Sequence, residues 1–168
     1  YLTVTTESTY GGFNVRWQSL TGNTNQLWAA ELYSVAPSAT PNATPSEIRN
    51  KEFFVKAYGT NLNLNVHGTN TVANARNVNV YEKENCDAQK WIAKQESAGP
   101  KLFTKINPSY ALNINTADNN CTMYTAAGND DDSVLEFEEA GDMLYRIRMF
   151  KYGKYLTLSG TTSGANVV

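Results

Sequence analysis

The sequence predicts an all-β domain folded as a β-trefoil of three four-stranded repeats. Three observations predict it: many short runs in which apolar and polar residues alternate, turn residues between those runs, and a large apolar anchor that returns in register along the chain. Alternation with period two marks a strand with one buried face, because successive side chains point to opposite faces. No window of helical length keeps a helical period, apart from a weak stretch around residues 45–52.

In chain order, strands are expected at YLTV (1–4), FNVRW (13–17), QLWAAELY (26–33), EFFVKAY (52–58), NLNLNV (61–66) and NVNVY (77–81). They continue at QKWIAK (89–94), KLFTKI (101–106), YALNI (110–114), CTMY (121–124), VLEFEE (134–139), MLYRIRMF (143–150) and KYLTL (154–158). Each is rich in β-branched or aromatic residues and is bounded by Gly, Asn or Asp turns. Residues 34–50, SVAPSATPNATPSEIRN, interrupt the series with three prolines. Proline lacks the donor that a central strand needs, and the segment is too long for a hairpin turn. It is expected to be a surface excursion packed along the outside of the domain.

The repeats organise these strands. Laying QLWAAE (26–31) over QKWIAK (89–94) and SVLEFE (133–138) brings Trp28, Trp91 and Leu135 into one register. The spacings are 63 and 44 residues, and setting aside the 17-residue proline segment brings the first to 46. Before each anchor runs a strand ending in an aromatic: NVRW at Trp17, NVNVY at Tyr81 and CTMY at Tyr124. Repeats of this length stack their apolar faces into one continuous core. The ends fit less simply. Residues 143–150 read as the opening strand of a further unit, followed by KYLTLSG (154–160) and ANVV (165–168), while the unit at Tyr1 reads as lacking an opening strand. Two arrangements follow: MLYRIRMF closes the barrel ahead of Tyr1 in permuted order, leaving surplus strands behind it, or the first unit is assigned one strand off.

At 168 residues, 41% of them apolar, the chain is long enough for one domain over 1–168 with its own core. A formal net charge of −2 and the lack of a basic face give no footing for nucleic acid, and no apolar run is long enough to span a membrane. Cys86 and Cys121 are too few for a disulfide scaffold, and sequons at Asn42 and Asn120 matter only in a secreted chain, so secreted and cytoplasmic locations both stay open. His67 is the sole histidine, which leaves no zinc cluster and no repeated acid–base pair. The acidic run 129–132 lacks the pattern of a calcium loop and reads as a solvated turn. No catalytic residue, metal or cofactor is expected.

The recurring aromatics fall into two classes. Trp28, Trp91 and Leu135 begin the last strand of each unit, where a large apolar group fills the centre of a barrel. Trp17, Tyr81 and Tyr124 end the preceding strand beside Asn- and Asp-rich turns. An aromatic there can stack on the apolar face of a sugar ring while neighbouring amides and carboxylates bond its hydroxyls. The plainer reading is that these rings cover the base of a hairpin.

The QLW of 26–28 and QKW of 89–91, with SVL at 133–135 in the third unit, resemble the QxW signature of the ricin B-chain type, or R-type, lectin domain. The resemblance implies a shallow galactose or N-acetylgalactosamine site in each unit. Such a site is built from an Asp after the first strand, an aromatic platform, and an Asn or Asp just before the Gln of QxW. Carried onto this sequence, the first unit offers Trp17 with Asn25 and Gln26, but only Thr3 and Thr5 near the Asp position. The second offers Tyr81 with Asn65, but has Ala88 where the Asn belongs and Asp87 one residue back. The third offers Tyr124 and Asp132 with Asn113 or Asn115. The first unit is expected to bind best, because it joins the widest platform to an intact amide pair. The expected function is non-catalytic carbohydrate binding. Its partners would be glycans or glycoproteins, with a homo-oligomer or a further domain as additional contacts. A reading from another class is a trefoil protease inhibitor that presents the proline-stiffened 34–50 loop to a protease cleft.

Overall fold

The computed structural model describes residues 2–5, 14–17, 40–68, 70–126 and 131–168, the first two stretches as strands only. The chain divides into two compact units, Tyr1–Ser38 and Ala39–Val168. In the first, Leu2–Thr5 (β1) and Asn14–Trp17 (β2) form a two-stranded antiparallel sheet in which Leu2 pairs with Trp17, Thr3 with Arg16 and Val4 with Val15. The expected strand at 26–33, with Asn25, Gln26 and Trp28, lies outside the described residues.

The second unit shows the repeat directly. Leu62–Val66 (β4) pairs with Arg76–Glu82 (β5), and Lys90–Glu96 (β6) pairs with Gly99–Thr104 (β7). The same two hairpins return as Tyr110–Ile114 (β8) with Cys121–Thr125 (β9), and Leu135–Gly141 (β10) with Leu144–Met149 (β11). The registers superpose: Leu64 opposes Val80 as Leu112 opposes Met123, and Trp91 opposes Thr104 as Leu135 opposes Met149. Strand β11 is therefore the last strand of its own repeat, a correction to the reading of 143–150 as the opening of a further unit. MLYRIRMF pairs with β10 on one side and with Lys154–Tyr155 (β12) on the other.

The third repeat of this unit draws on both ends of its sequence. Leu158 bridges to Val167, and Thr157 and Val168 exchange backbone hydrogen bonds of 2.8 and 2.9 Å around them. This repeats the pairing of Leu64 with Val80. Glu52–Phe54 (β3) pairs with β6, placing Phe53 opposite Trp91. The strands alternate as the sequence indicates: Val78 and Val80, Leu112 and Met123, and Val167 enter one core with Trp91, Leu102 and Leu135. Burying such side chains stabilises by about 1.5–3 kcal/mol each before ordering entropy is set against it.

The proline-rich segment is described from Thr40 onward, and this part lies down on the fold. The Thr44 backbone N–H and hydroxyl both donate to the Gln95 side-chain carbonyl, at 2.7 and 3.0 Å, and Thr44 and Ile48 are buried. Asn50 donates to the Ala93 carbonyl at 2.8 Å. Pro41 sits so close to Gly99 that a Cβ there would come within 2.4 Å of it, and Gly99 also has a φ of +139°. Only glycine meets both conditions. Residues 40–50 are thus tied to β6 at Thr44 and Asn50; residues 34–39 lie outside the described residues.

Candidate functional site

In the second repeat the Gln-x-Trp motif is consumed by structure. Gln89 closes a short 3₁₀ turn, Asp87–Gln89, and is fully buried. Its amide nitrogen donates to the Glu82 carbonyl and its amide oxygen accepts the Glu84 N–H, both at 2.8 Å. One side chain thereby ties the end of β5 to the start of β6. Trp91 is also fully buried, and its indole N–H donates to the Leu64 carbonyl at 3.0 Å, so β6 is tied to β4 as well. Leu135 is buried at the matching place in the third repeat, as expected of a core anchor. There Ser133 stands for the glutamine, in a second 3₁₀ turn, Asp131–Ser133, and accepts a hydrogen bond from the Asn113 amide at 3.3 Å.

The two platform tyrosines of this unit are exposed. Tyr81 and Tyr124 each keep 41% of their surface in solvent, at the same step of equivalent hairpins. Tyr81 opposes Asn63 on β4, and Tyr124 opposes Ala111 on β8. Because side chains alternate, Tyr81 shares its face with Asn79, Asn63 and Asn65, and Tyr124 shares its face with Thr122, Ala111 and Asn113. The core-facing residues lie on the other side. Behind each tyrosine is therefore a short row of buried polar groups, which a buried position tolerates only when they are bonded.

Most of that row is already engaged. Asn65 donates to the Asn79 side chain at 2.8 Å, and the Asn79 amide lies 3.4 Å from His67 Nδ1. Asn113 is held by Ser133. Asp132 accepts the Tyr152 hydroxyl, a bond that raises the Tyr152 pKa above its ordinary value. The neighbouring Asp131 pairs with Lys151 at 2.8 Å. Two groups stand apart. The Asn63 amide nitrogen and the Thr122 hydroxyl are buried and have no hydrogen-bond partner among the described residues. Sequence reasoning chose Asn65 and passed over Asn63; the signal was the alternation of β4, which puts both asparagines on the face of Tyr81. Among the described residues no group of three His, Cys, Asp or Glu side chains could hold a metal ion.

In the first unit Trp17 ends β2 opposite Leu2, and Arg16 opposes Thr3. Asn25 and Gln26 lie outside the described residues.

No protein-family model matches the chain, and no curated protein sequence does. Solved structures do. The chain is similar to a designed three-fold symmetric protein, ThreeFoil, with a TM-score of 0.63 and 24% identity over 70% of this chain and 86% of that one. The fold is a β-trefoil. A mosquitocidal holotoxin matches with a TM-score of 0.63 and 21% identity over 72% of the chain, which spans 15% of the toxin's length. The C-half of an earthworm R-type lectin, solved in complex with GalNAc, matches with a TM-score of 0.55 and 14% identity over 70% of this chain and 85% of that one.

Proposed function

We propose that this trefoil binds carbohydrate without catalysis, through sites of the R-type lectin kind on the outer faces of its repeats, and that 1–168 acts as one carbohydrate-binding domain. The observation that carries the proposal is the pair of equivalent tyrosines, exposed to the same degree above buried polar rows, in a fold that an R-type lectin shares. An exposed ring at a fixed place can cover the apolar face of a hexose, and aromatic contacts of this kind orient a ligand that amides then bond.

The second repeat's site consists of Tyr81 with Asn63. A buried amide nitrogen without a partner costs stability, and a ligand hydroxyl that reaches it gains a bond the free protein lacks. The third repeat's site consists of Tyr124 with Asp132, whose carboxylate can accept a hydroxyl hydrogen bond. Trp17 with Asn25 and Gln26 is the candidate of the first repeat. The ligand class is galactose or N-acetylgalactosamine at the ends of glycans. Shallow sites of this type bind weakly one at a time and gain strength through several repeats or copies.

Amide chemical-shift mapping with galactose and N-acetylgalactosamine tests the reading. Shifts should centre on residues 62–66 with 79–82 and on residues 110–114 with 122–125, and Tyr81→Ala and Tyr124→Ala should each erase one set. Shifts at neither hairpin, with the protein folded, would refute carbohydrate binding at these places.

A further inference from the structure

The 3₁₀ turn that carries Asp132, Asp131–Ser133, is fastened to the turn that follows β11, residues 150–153. The Phe150 N–H donates to the Val134 carbonyl at 2.9 Å, and the Lys151 ammonium pairs with the Asp131 carboxylate at 2.8 Å. The Tyr152 hydroxyl donates to Asp132 Oδ1. The donor's own turn is held as well. The Gly153 N–H closes it onto the Met149 carbonyl at 2.9 Å with a φ of +63° at Gly153, and the Lys151 ammonium lies 5.6 Å from the centre of the Tyr152 ring.

The second repeat builds the same junction without these two side chains. The Lys105 N–H donates to the Lys90 carbonyl at 2.9 Å, as Phe150 does to Val134, and Asp87 faces the Lys105 ammonium at 3.9 Å, much as Asp131 faces Lys151. Trp91 opposes Thr104 as Leu135 opposes Met149, so Ala88 stands at the place of Asp132 and Asn107 at the place of Tyr152. Asn107 turns to its own loop, where it accepts the Ser109 N–H at 3.0 Å. The carboxylate and its hydroxyl partner are thus present together in one repeat and absent together in the other. Closing the two turns on each other does not require them.

We infer that Tyr152 is a positioning residue for the sugar site of the third repeat: its hydroxyl fixes the direction of the Asp132 carboxylate, and that direction selects the configuration of the sugar hydroxyl that the carboxylate accepts. The inference rests on the reading of Tyr124 with Asp132 as that site. A carboxylate free to swivel accepts hydroxyls from several directions, whereas one held at an oxygen offers its lone pairs along set directions and loses less entropy when a ligand binds. A neutral hydroxyl holds it without cancelling the charge that strengthens a bond to a sugar hydroxyl, which a lysine partner would cancel. Galactose and glucose differ only in configuration at C4, so from one stacked position on Tyr124 they aim that hydroxyl differently. The held carboxylate separates the two sugars, and a released one separates them less.

Amide-shift titrations of the full chain with galactose and with glucose give both affinities at each tyrosine hairpin. In the parent, galactose should bind at residues 110–114 and 121–125 about fivefold more tightly than glucose, the worth of one well-aimed hydrogen bond. Tyr152→Phe keeps the ring and drops the hydroxyl; it should bring that ratio below about twofold and leave the ratio at residues 62–66 and 79–82 unchanged. On an Asp132→Asn background the same substitution should change the ratio no further, because the two groups act as one unit. If Tyr152 only braced the two turns, Tyr152→Phe would lower the urea midpoint and leave the ratio as it was, and that result overturns the inference. A parent that binds both sugars equally at the Tyr124 hairpin overturns it too, while carbohydrate binding stands. A Tyr124 hairpin that shifts with neither sugar removes the reading of that site, and the inference falls with it.

Discussion

Replacing Gln89 by leucine separates a structural glutamine from a sugar ligand. The side chain is fully buried, and the substitution nearly keeps its volume while removing two hydrogen bonds of 2.8 Å. Each leaves a backbone group without its partner, the Glu82 carbonyl and the Glu84 N–H, and such a loss costs about 1–3 kcal/mol per group. Glu82 and Glu84 are exposed residues, so water can reach part of what is lost and the lower end of the range applies to both. The expected cost is about 2 kcal/mol in total. With a urea dependence of about 2 kcal/mol per molar, the unfolding midpoint followed by far-ultraviolet circular dichroism should fall by about 1 M. Sugar binding at the Tyr124 hairpin, measured per folded molecule, should be unchanged. A midpoint shifted by less than about 0.2 M, well below that expectation, would refute the tie between strands β5 and β6.

Tyr124→Ala should remove binding at the third repeat while changing stability by less than about 1 kcal/mol, because the ring is only partly buried; isothermal titration and denaturation on the same preparation check both halves. Arg148→Ala should cost about 3 kcal/mol, since Glu136 is buried and loses its guanidinium partner, and Arg148→Lys should recover part of that loss in the same unfolding assay. Burial pushes the Cys121 thiol from 9.0 up to about 12, and both cysteines are free, so a disulfide reagent at pH 8 should label Cys86 in the native protein and Cys121 only after unfolding. The sign of the linkage is fixed by that rise. Between about pH 9 and 12 the unfolded chain gives up a proton that the folded chain keeps, so stability is full below pH 9 and falls as pH rises, by up to about 1.4 kcal/mol per unit. In Cys121→Ala that part of the slope should vanish from a titration of the unfolding midpoint.

The strand series was legible because alternation is a local signal. Residues 110–114 were placed to the residue, and 62–66, 76–82 and 121–125 to within one. The buried anchors were legible because Trp91 and Leu135 recur at a fixed distance. Pairing partners were not. Strand β11 carries apolar residues that suit either an opening or a closing position, and only its register against β10 assigns it. Gln89 reads as a polar residue beside a platform, and nothing in the sequence shows that two backbone groups across a loop already use its amide. Asn63 was hidden for the opposite reason: its lack of a partner exists only once the fold has placed Asn65 and Asn79 on each other.

The central claim is that the exposed tyrosines stack on sugar, and saturation-transfer difference NMR with N-acetylgalactosamine tests it most directly. Irradiating the aromatic protons of the intact protein should pass saturation to the sugar, most strongly to the ring protons on its apolar face, and Tyr81→Ala/Tyr124→Ala should lower that signal sharply while remaining folded. An intact protein that transfers nothing to the sugar, or a double variant that transfers as much as the parent, would contradict the account.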